Sequence, residues 1–162
     1  MLDKTNNLKK LDFKILKEEV IDYLEKNTKW ILATSLKDKV TARSMSIINN
    51  ELTIYFQTDK RSRKYQQIVS NNNIAIAHDN YQIEGIAQIC GHPISNGNEF
   101  FYKKYKSVHK SAFERYSFLK DEVVIKIIPE LVIIYKYINS LPYKDYLSIN
   151  EEKAYREKYS LE

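Results

Sequence analysis

The sequence predicts a mainly β protein, an antiparallel barrel of six to seven strands with two or three flanking helices. Three observations lead to this class. After Lys29 the period of the apolar residues changes from about 3.6 to 2. The strand-like segments are short and follow one another across turn signals, which is typical of antiparallel connections. A length of 162 residues suits one core, and closing the sheet into a barrel would remove exposed edges.

The first half of the chain reads as one helix followed by a meander of strands. Residues 11–26 place apolar side chains at helical spacing, with Asp12 as the N-cap. Asn49 and Asn50 indicate a tight turn, because asparagine tolerates positive φ. The predicted strands cover residues 30–35, 40–48 and 52–58. We expect the second and third strands to pair across the turn, which would bring Arg43 and Gln57 close together.

The second half mixes further strands with short helices. Residues 60–72 have helical character, and residues 96–118 read as one or two short helices. Gly85 lies inside a strand and indicates a bulge or a close backbone approach. The predicted strands cover residues 74–78, 81–91, 123–128 and 131–138, with Pro129 at the junction of the last two. The tail should contain a turn and a short charged helix.

We find neither an internal repeat nor a low-complexity linker, so we expect a single domain over residues 1–162. Residues 1–10 should be flexible, and residues 139–162 should form a C-terminal extension. Cys90 is the single cysteine, which excludes a disulfide within the chain and fits the reducing cytoplasm. The start has no apolar signal segment, and Lys126 and Glu130 interrupt the longest apolar run. We therefore expect a cytoplasmic protein that does not cross a membrane.

The chain is basic, with a formal net charge of +5, and the position of its cations is informative. Four cations and two hydroxyl groups lie in residues 58–64, where the third predicted strand runs into a helix. A helix N-terminus offers unpaired N–H groups, and arginine and lysine add donors for phosphate oxygens. Arg43 can join from a neighbouring strand. The segment therefore predicts a site for a phosphate monoester, although a solvated basic surface would have a similar composition.

The order of short motifs over residues 33–87 resembles the FMN-binding split barrel of the pyridoxamine 5′-phosphate oxidase-like family. The Thr58 and Ser62 segments are the most specific part of the resemblance. The matching segments are Ala33-Thr34, Thr41-Ala42-Arg43, Tyr55-Phe56-Gln57-Thr58, Ser62-Arg63-Lys64, residues 72–76 and residues 84–87.

The resemblance implies a role for each matching position. The residues that would bind the phosphate of flavin mononucleotide (FMN) are Arg43, Ser62, Arg63 and Lys64. Backbone groups would follow the edge of the flavin ring at Arg43, Ser44, Met45, Ser46, Gln57 and Thr58, and Gln82 is a candidate contact to the ring. The family also implies a homodimer with flavin at the subunit interface. Phe100, Phe101 and Tyr105 would either join that interface or pack in the core.

The sequence departs from the oxidase that makes pyridoxal phosphate. Ile48, or nearby Ser46 or Ile47, stands where that enzyme has a second cation, and residues 155–159 lack its Arg-x-His segment. The resemblance therefore implies the fold and the cofactor but not the substrate. His78 lies at a strand end as a candidate proton donor, or else as a surface histidine. His92 and His109 have no cysteine or carboxylate at metal-like spacing, so we expect no metal site.

These observations leave several functions open. An FMN-dependent oxidoreductase would act on an unidentified small molecule, with a reduced nicotinamide as one candidate electron donor. A nitroimidazole-resistance-type reductase is one form of this function. A non-catalytic flavin-binding module, for storage, stress response or sensing, is the alternative, and a related barrel could bind haem. The basic, tyrosine-rich segments also suggest base stacking, but no nucleic-acid motif supports it.

Overall fold

The computed structural model describes residues 8–159, which form a mostly antiparallel β structure with helices around it. Its helices are α1 (Phe13–Lys26), α2 (Arg63–Ser70), α3 (Glu99–Val108) and α4 (Lys110–Tyr116). Its strands are β1 (Leu8–Leu11), β2 (Lys29–Leu36), β3 (Lys39–Ser46), β4 (Ile48–Asn50), β5 (Thr53–Asp59), β6 (Asn73–His78), β7 (Tyr81–Ile89), β8 (Glu122–Ile138), β9 (Leu141–Ser148) and β10 (Lys153–Lys158). The predicted fold class is confirmed, with ten strands in place of the expected six to seven.

The long strand β8 organises the sheet. The strand order is β1-β10-β9-β8-β7-β6-β2-β3, and β5 adds to β8 and to β4. One edge of β8 pairs with β7, while its other edge pairs first with β5, up to Ile127, and then with β9, from Leu131 onwards. Pro129 lies in the gap between these two partners, where its missing N–H costs no ladder hydrogen bond. The two strands predicted on either side of Pro129 are therefore one strand whose neighbour changes.

The expected bulge at Gly85 is present, and close packing explains the glycine. The register between β7 and β8 shifts between Glu84 and Gly85. A Cβ atom at Gly85 would lie 2.4 Å from the carbonyl oxygen of Ile128. Such a distance is too short for any side chain, so the backbones of β7 and β8 can approach this closely only at a glycine.

Both ends of the described chain are more ordered than the sequence suggested. Residues 8–11 form β1 and pair with β10, whereas residues 1–7 of the segment expected to be flexible lie outside the described residues. The expected C-terminal helix is wrong: β9 and β10 form a hairpin. Asp145 and Arg156 bond to each other within that hairpin, which places charged residues where a strand pattern would have apolar ones. Because of these charged residues, the alternation of apolar and polar side chains that marks a strand is not visible in the sequence of this segment.

The predicted turn at Asn49-Asn50 lies one step too early. Both asparagines belong to β4, and the turn follows at Glu51, whose φ is 51°. Asn49 stabilises this turn, because its side-chain amide donates to the carbonyl oxygen of Glu51 at 2.8 Å. The strand predicted over residues 40–48 is therefore broken after Ser46. The pairing expected between the strands of Arg43 and Gln57 is wrong, since β3 pairs with β2 and β5 pairs with β4 and β8.

The hydrophobic core lies between α1 and the inner face of the curved sheet. Its fully buried side chains include Trp30 and Phe56, and α1 contributes Leu16, Val20 and Leu24. Asp12 caps α1 as predicted, because its carboxylate accepts from the backbone N–H of Ile15 at 3.0 Å. A smaller cluster places Phe101 and Phe113 of α3 and α4 on the other side of β8. None of the helices within residues 8–159 is long and apolar enough to span a membrane.

Candidate functional site

A pocket of about 340 Å³ lies where β3 and β5 separate from each other. Within the described chain β3 pairs with β2 alone, and the Gln57–Asp59 part of β5 pairs with β8 alone. The facing edges of both strands therefore present unpaired backbone N–H and C=O groups. Six of the predicted site residues line this pocket: Ser44, Met45, Ser46, Gln57, Thr58 and Lys64.

Helix α2 begins at the end of this pocket, and side chains fix its first turn. Ser62 caps the helix: its Oγ accepts from the backbone N–H of Tyr65 at 3.3 Å and lies 3.1 Å from Oγ1 of Thr58. The Nζ atom of Lys64 donates to the same Thr58 oxygen at 3.1 Å. The first turn of a helix carries free N–H groups and a partial positive charge, so this corner is suited to an anion.

Arg43 does not itself line the pocket, and its guanidinium group is held in position by a polar cluster that joins β2, β3 and α2. Its Nη1 donates to Oγ1 of Thr34 at 2.7 Å, and its Nη2 donates to Oγ1 of Thr41. The Oε1 atom of Gln67 lies 3.5 Å from Nη2 and also accepts from both threonines, at 2.6 Å and 2.8 Å. Gln67 is only 3% exposed. Arg43 therefore keeps one orientation without help from a ligand.

Three cations at this corner influence one another. Burial and the charge of Arg63 lower the pKa of Arg43, and burial and the charge of Arg43 lower the pKa of Lys64. Within residues 8–159 none of the three forms an ion pair with a carboxylate. Their mutual repulsion favours a bound anion, which would offset the like charges.

Arg61, by contrast, is occupied by Asp59. Its Nη2 lies 2.6 Å from Oδ2 of Asp59, and its backbone N–H donates to Oδ1 at 2.7 Å. These hydrogen bonds lower the pKa of Asp59 to about 2. The second carboxylate near Arg61 is Asp121, at 3.5 Å. The four cations of the basic segment thus divide into Arg61, which is engaged in a surface ion pair, the exposed Lys60, and Arg63 and Lys64, which join Arg43.

Sequence reasoning named Tyr105 of α3 but missed Tyr116 of α4 and Glu122 of β8. All three line the pocket opposite β3. Tyr105 is 3% exposed and stacks on Phe101, with ring centroids 4.7 Å apart. Of the two predicted alternatives, subunit interface or core, both residues therefore follow the core. Phe100 is exposed and packs on Tyr55. These residues carry no motif in the sequence, and only the folded chain brings them to the pocket.

One of these additional contacts fixes a predicted site residue. The hydroxyl group of Ser117, which is fully buried, donates to Oε1 of Gln57 at 2.7 Å. The side-chain orientation of Gln57 is therefore set by the protein, and its amide group has N–H donors to offer elsewhere. Ser117 follows α4 directly, so the short helix also positions a residue of β5.

Gln82 and His78 do not line this pocket. Gln82 lies exposed on β7, where its side-chain amide donates to Glu84 at 2.8 Å. His78 ends β6 in an aromatic cluster with Trp30 and Tyr23, and its Nδ1 lies 2.7 Å from the Tyr23 hydroxyl oxygen. The cluster gives His78 a packing role at α1. The roles predicted for these residues, a ring contact for Gln82 and proton donation for His78, stay predictions. The structure of the single chain does not support them, because neither residue lines the pocket.

The fold and the pocket define the class: a pyridoxamine 5′-phosphate oxidase-like split barrel. No family model matches the sequence. General stress protein 26 of Bacillus subtilis (strain 168) is 30% identical over 122 residues, which cover 71% of this chain and 84% of that protein. The chain belongs to the pyridoxamine 5′-phosphate oxidase-like split-barrel family, and the relative that shows this is general stress protein 26. The resemblance over residues 33–87 is thereby confirmed.

Solved structures agree with this fold. General stress protein 26 from Bacillus anthracis is 22% identical, with a TM-score of 0.56 over 72% of this chain and 91% of that one. An FAD-binding protein from Mesorhizobium loti is 13% identical, with a TM-score of 0.58 over 94% and 98%. The haem storage protein HutZ from Vibrio cholerae is 12% identical, with a TM-score of 0.63 over 74% and 94%. At these identities the likeness concerns the fold alone, and the names of two of these proteins refer to different ligands, FAD and haem.

Proposed function

We propose that this protein binds FMN, with the phosphate at the start of α2 and the ring in the pocket between β3 and β5. The observation that carries the proposal is the cation cluster of Arg43, Arg63 and Lys64, which has no carboxylate partner within the described chain. A phosphate monoester supplies two negative charges and three acceptor oxygens. The Ser62 hydroxyl and the free N–H groups of α2 complete a donor set of the right chemistry.

The pocket residues suit the remainder of the ligand. The edge of a flavin ring alternates hydrogen-bond donors and acceptors, and the free edges of β3 at Ser44–Ser46 and of β5 at Gln57-Thr58 offer the complement. Gln57, held by Ser117, can add a side-chain donor. Bound flavin would supply electron and hydride transfer, while the protein orients it and sets its electrostatic surroundings.

We further propose that the protein is an FMN-dependent oxidoreductase acting on a small electrophile, such as a quinone or a nitro compound. A reduced nicotinamide is the electron donor we would test first. Two other functions have specific support. The name of the 30% identical relative, a general stress protein, favours a stress-related role, and a flavin-binding module without turnover is the form of that role we would test. The likeness to a haem storage protein favours haem as the cofactor.

The absorption spectrum of the purified protein tests the cofactor. We expect the two visible bands of oxidised flavin, and release of FMN instead of FAD on denaturation. A Soret band with no flavin bands would contradict the proposal and support haem.

Anaerobic mixing with reduced nicotinamide then tests turnover. Fast bleaching that a quinone or nitro compound reverses would support the oxidoreductase, and bleaching slower than that of free FMN would support the non-catalytic module.

The double variant Arg63→Ala/Lys64→Ala tests the phosphate site. Each lost charge-assisted contact should cost about 1.5–3 kcal/mol, or about one to two decades of FMN affinity per residue. Lys14→Ala/Lys26→Ala is the matched control, because it removes two exposed cations from α1 and leaves the pocket intact. Titration calorimetry with FMN measures both. Equal affinity in the two double variants would overturn the assignment.

We also propose a cytoplasmic homodimer with flavin at the subunit interface. The pocket opens along the free edge of β3, so a second copy could cover the exposed side of a bound ring. Ile31 and Val40 on β2 and β3 are exposed apolar side chains that an interface would bury. Sedimentation equilibrium with and without FMN should give twice the mass of one chain. A monomer in both conditions would contradict this proposal.

A further inference from the structure

Glu122 is a buried carboxylic acid that no group in the described part of the chain satisfies. It is 5% exposed, opens β8 and lies opposite Asp59 on β5. Its side chain lines the pocket and forms neither a hydrogen bond nor an ion pair with any residue in the range 8–159. Buried polar groups in folded proteins are normally hydrogen-bonded. An unpaired carboxyl group facing a pocket therefore indicates a contact to whatever fills it.

The hydroxyl group of Tyr105 is in the same situation. Tyr105 is 3% exposed, lines the pocket and makes no side-chain hydrogen bond to any other described residue. Among residues 8–159 no fully enclosed side-chain N or O atom lacks a partner, so the two unpaired groups face the pocket space and not the packed interior. The pocket thus contains two oxygen groups that a ligand could satisfy.

Titratable groups on each neighbouring element face the pocket with Glu122, and two of them, Asp59 and Lys64, act on it by their charge. Lys64 faces it from α2 and Asp59 from β5, Tyr105 lies on α3 and Tyr116 on α4. Asp121 precedes it in the chain and lies beside Arg61, which also holds Asp59. Burial, with a smaller contribution from Asp59, raises the pKa of Glu122 to about 7, while Lys64 opposes the rise. Glu122 is therefore close to half protonated near neutral pH.

A phosphorylated ligand would change this balance. Its negative charge beside Lys64 would cancel the one nearby charge that favours the ionised carboxylate, and its bulk would displace water from the pocket. Both effects favour the neutral acid. A neutral carboxyl group can also donate a hydrogen bond, which a carboxylate cannot.

We propose that Glu122 takes up a proton from solvent when the phosphorylated ligand binds, and that the resulting carboxyl group donates a hydrogen bond to the ligand in the pocket. This inference rests on the proposed FMN site and adds a coupling between ligand affinity and pH. No bond other than that to the proton is made or broken. Affinity should fall as the pH rises above the point at which free Glu122 ionises, because the proton then has to be gained on binding.

Calorimetric titration with FMN at about pH 8 tests this proposal. The difference between the binding enthalpies measured in two buffers of different ionisation enthalpy gives the number of protons taken up per FMN bound. The second ionisation of a phosphate monoester lies near pH 6, so the ligand is already dianionic there. The intact protein should take up between about half and one proton per FMN bound. Glu122→Gln should remove this uptake and weaken the pH dependence of affinity above pH 7. Glu130→Gln, the same change at an exposed position on β8, should behave as the unchanged protein.

The outcomes separate the two proposals. If the intact protein binds FMN with the same proton count as Glu122→Gln, the inference is wrong and the proposed FMN site stands. If the intact protein binds no FMN, both fall together. A carbon-13 titration of glutamate carboxyl groups in the intact protein gives an answer that needs no variant. One carboxyl should titrate near pH 7 without FMN and remain protonated well above that pH with FMN, and an unchanged titration would overturn the inference.

Discussion

Gln67 shows how one buried side chain can set the charge of the proposed phosphate site. Its Oε1 atom accepts from Thr34 and Thr41 and faces Arg43, so the cation is held by neutral oxygens and keeps its charge available. A carboxylate at the same position would hold Arg43 equally well but would neutralise it. The choice of amide over acid therefore matters for anion binding.

The variant Gln67→Glu tests this reasoning. We expect FMN affinity to fall by about one decade. The introduced carboxylate would pair with Arg43 and cancel the charge of one of the three cations at the proposed phosphate site. Gln88→Glu is the matched control: it adds the same charge at an exposed position on β7, away from the pocket. Fluorescence titration with FMN gives both affinities. Loss of affinity equal in the two variants would show that only net charge matters.

The raised pKa of Glu122 also predicts that the stability of the protein without ligand depends on pH. Its pKa in the folded protein is raised to about 7, above the ordinary value near 4.3. A raised carboxyl pKa means that folding favours the neutral acid, so the wild-type protein loses stability as the pH rises between these two values. Glu122→Gln should therefore be more stable by about 1–3 kcal/mol at pH 8 and indistinguishable at pH 4. Urea unfolding at both pH values measures the difference, and an equal difference at both would contradict it.

At the residue level, the sequence could predict groups that belong to a local pattern. Ser62 and Lys64 stand in one cation-rich strand-to-helix segment, and the structure places them at one corner with Arg43. Gln67 and Glu122 carry no such signal, because a single glutamine on a helix and a single glutamate before an apolar strand look like surface residues. Their importance comes from burial, which only the arrangement of β3, β8 and α2 determines.

At the level of elements, the separation of β3 from β5 creates the pocket. Had the two strands paired across a tight turn, as the Asn49-Asn50 pattern suggested, their edges would have satisfied each other. Instead β4 pairs with β5, and β3 continues only along β2. A periodicity argument assigns the strands but not their partners, since partner choice depends on where the turn falls. The chain breaks after Ser46 and begins β4 at Ile48, so the strand that pairs with β5 across the turn at Glu51 is β4 and not β3.

The β7–β8 bulge gives a prediction at the same level. Gly85→Ala would place a methyl group 2.4 Å from the carbonyl oxygen of Ile128, so the two strands must move apart. Overpacking of this kind costs about 1–3 kcal/mol. We expect a lower thermal midpoint and faster exchange of amide protons along β7 and β8. Ala87→Gly, two residues further along β7, is a useful comparison, because it removes a buried methyl group and leaves the backbone spacing unchanged. An unchanged midpoint for Gly85→Ala would show that the bulge relaxes freely.

Over the whole molecule, an ionic network centred on the buried Asp145 links α1 to the C-terminal strands. Asp145 on β9 is fully buried and contacts Arg156 on β10, at 2.6 Å, and Lys136 on β8, at 3.0 Å. Lys136 reaches on to Glu19 of α1, at 2.6 Å. Two cations thus face two carboxylates across three strands and a helix. The network explains why the C-terminal residues are strands although their composition suggested a charged helix.

Removing the charge of Asp145 should destabilise the protein more than removing that of an exposed acid. Asp145→Asn would leave Lys136 and Arg156, both partly buried, beside a neutral amide, at a cost of about 3 kcal/mol. Glu151→Gln is the control, because its pair with Lys153 is exposed and should be worth less than about 1 kcal/mol. Urea unfolding at neutral pH compares the two.

Burial opposes ionisation of Asp145, but hydrogen bonds from Arg156 and Lys136 outweigh it and lower its pKa. A lowered carboxyl pKa stabilises the fold above the unfolded value near 3.9, and this stability is lost as the pH falls below it. The gap between wild type and Asp145→Asn should therefore narrow at about pH 3, and a gap that stays constant down to that pH would show that the variant acts through packing and not through charge.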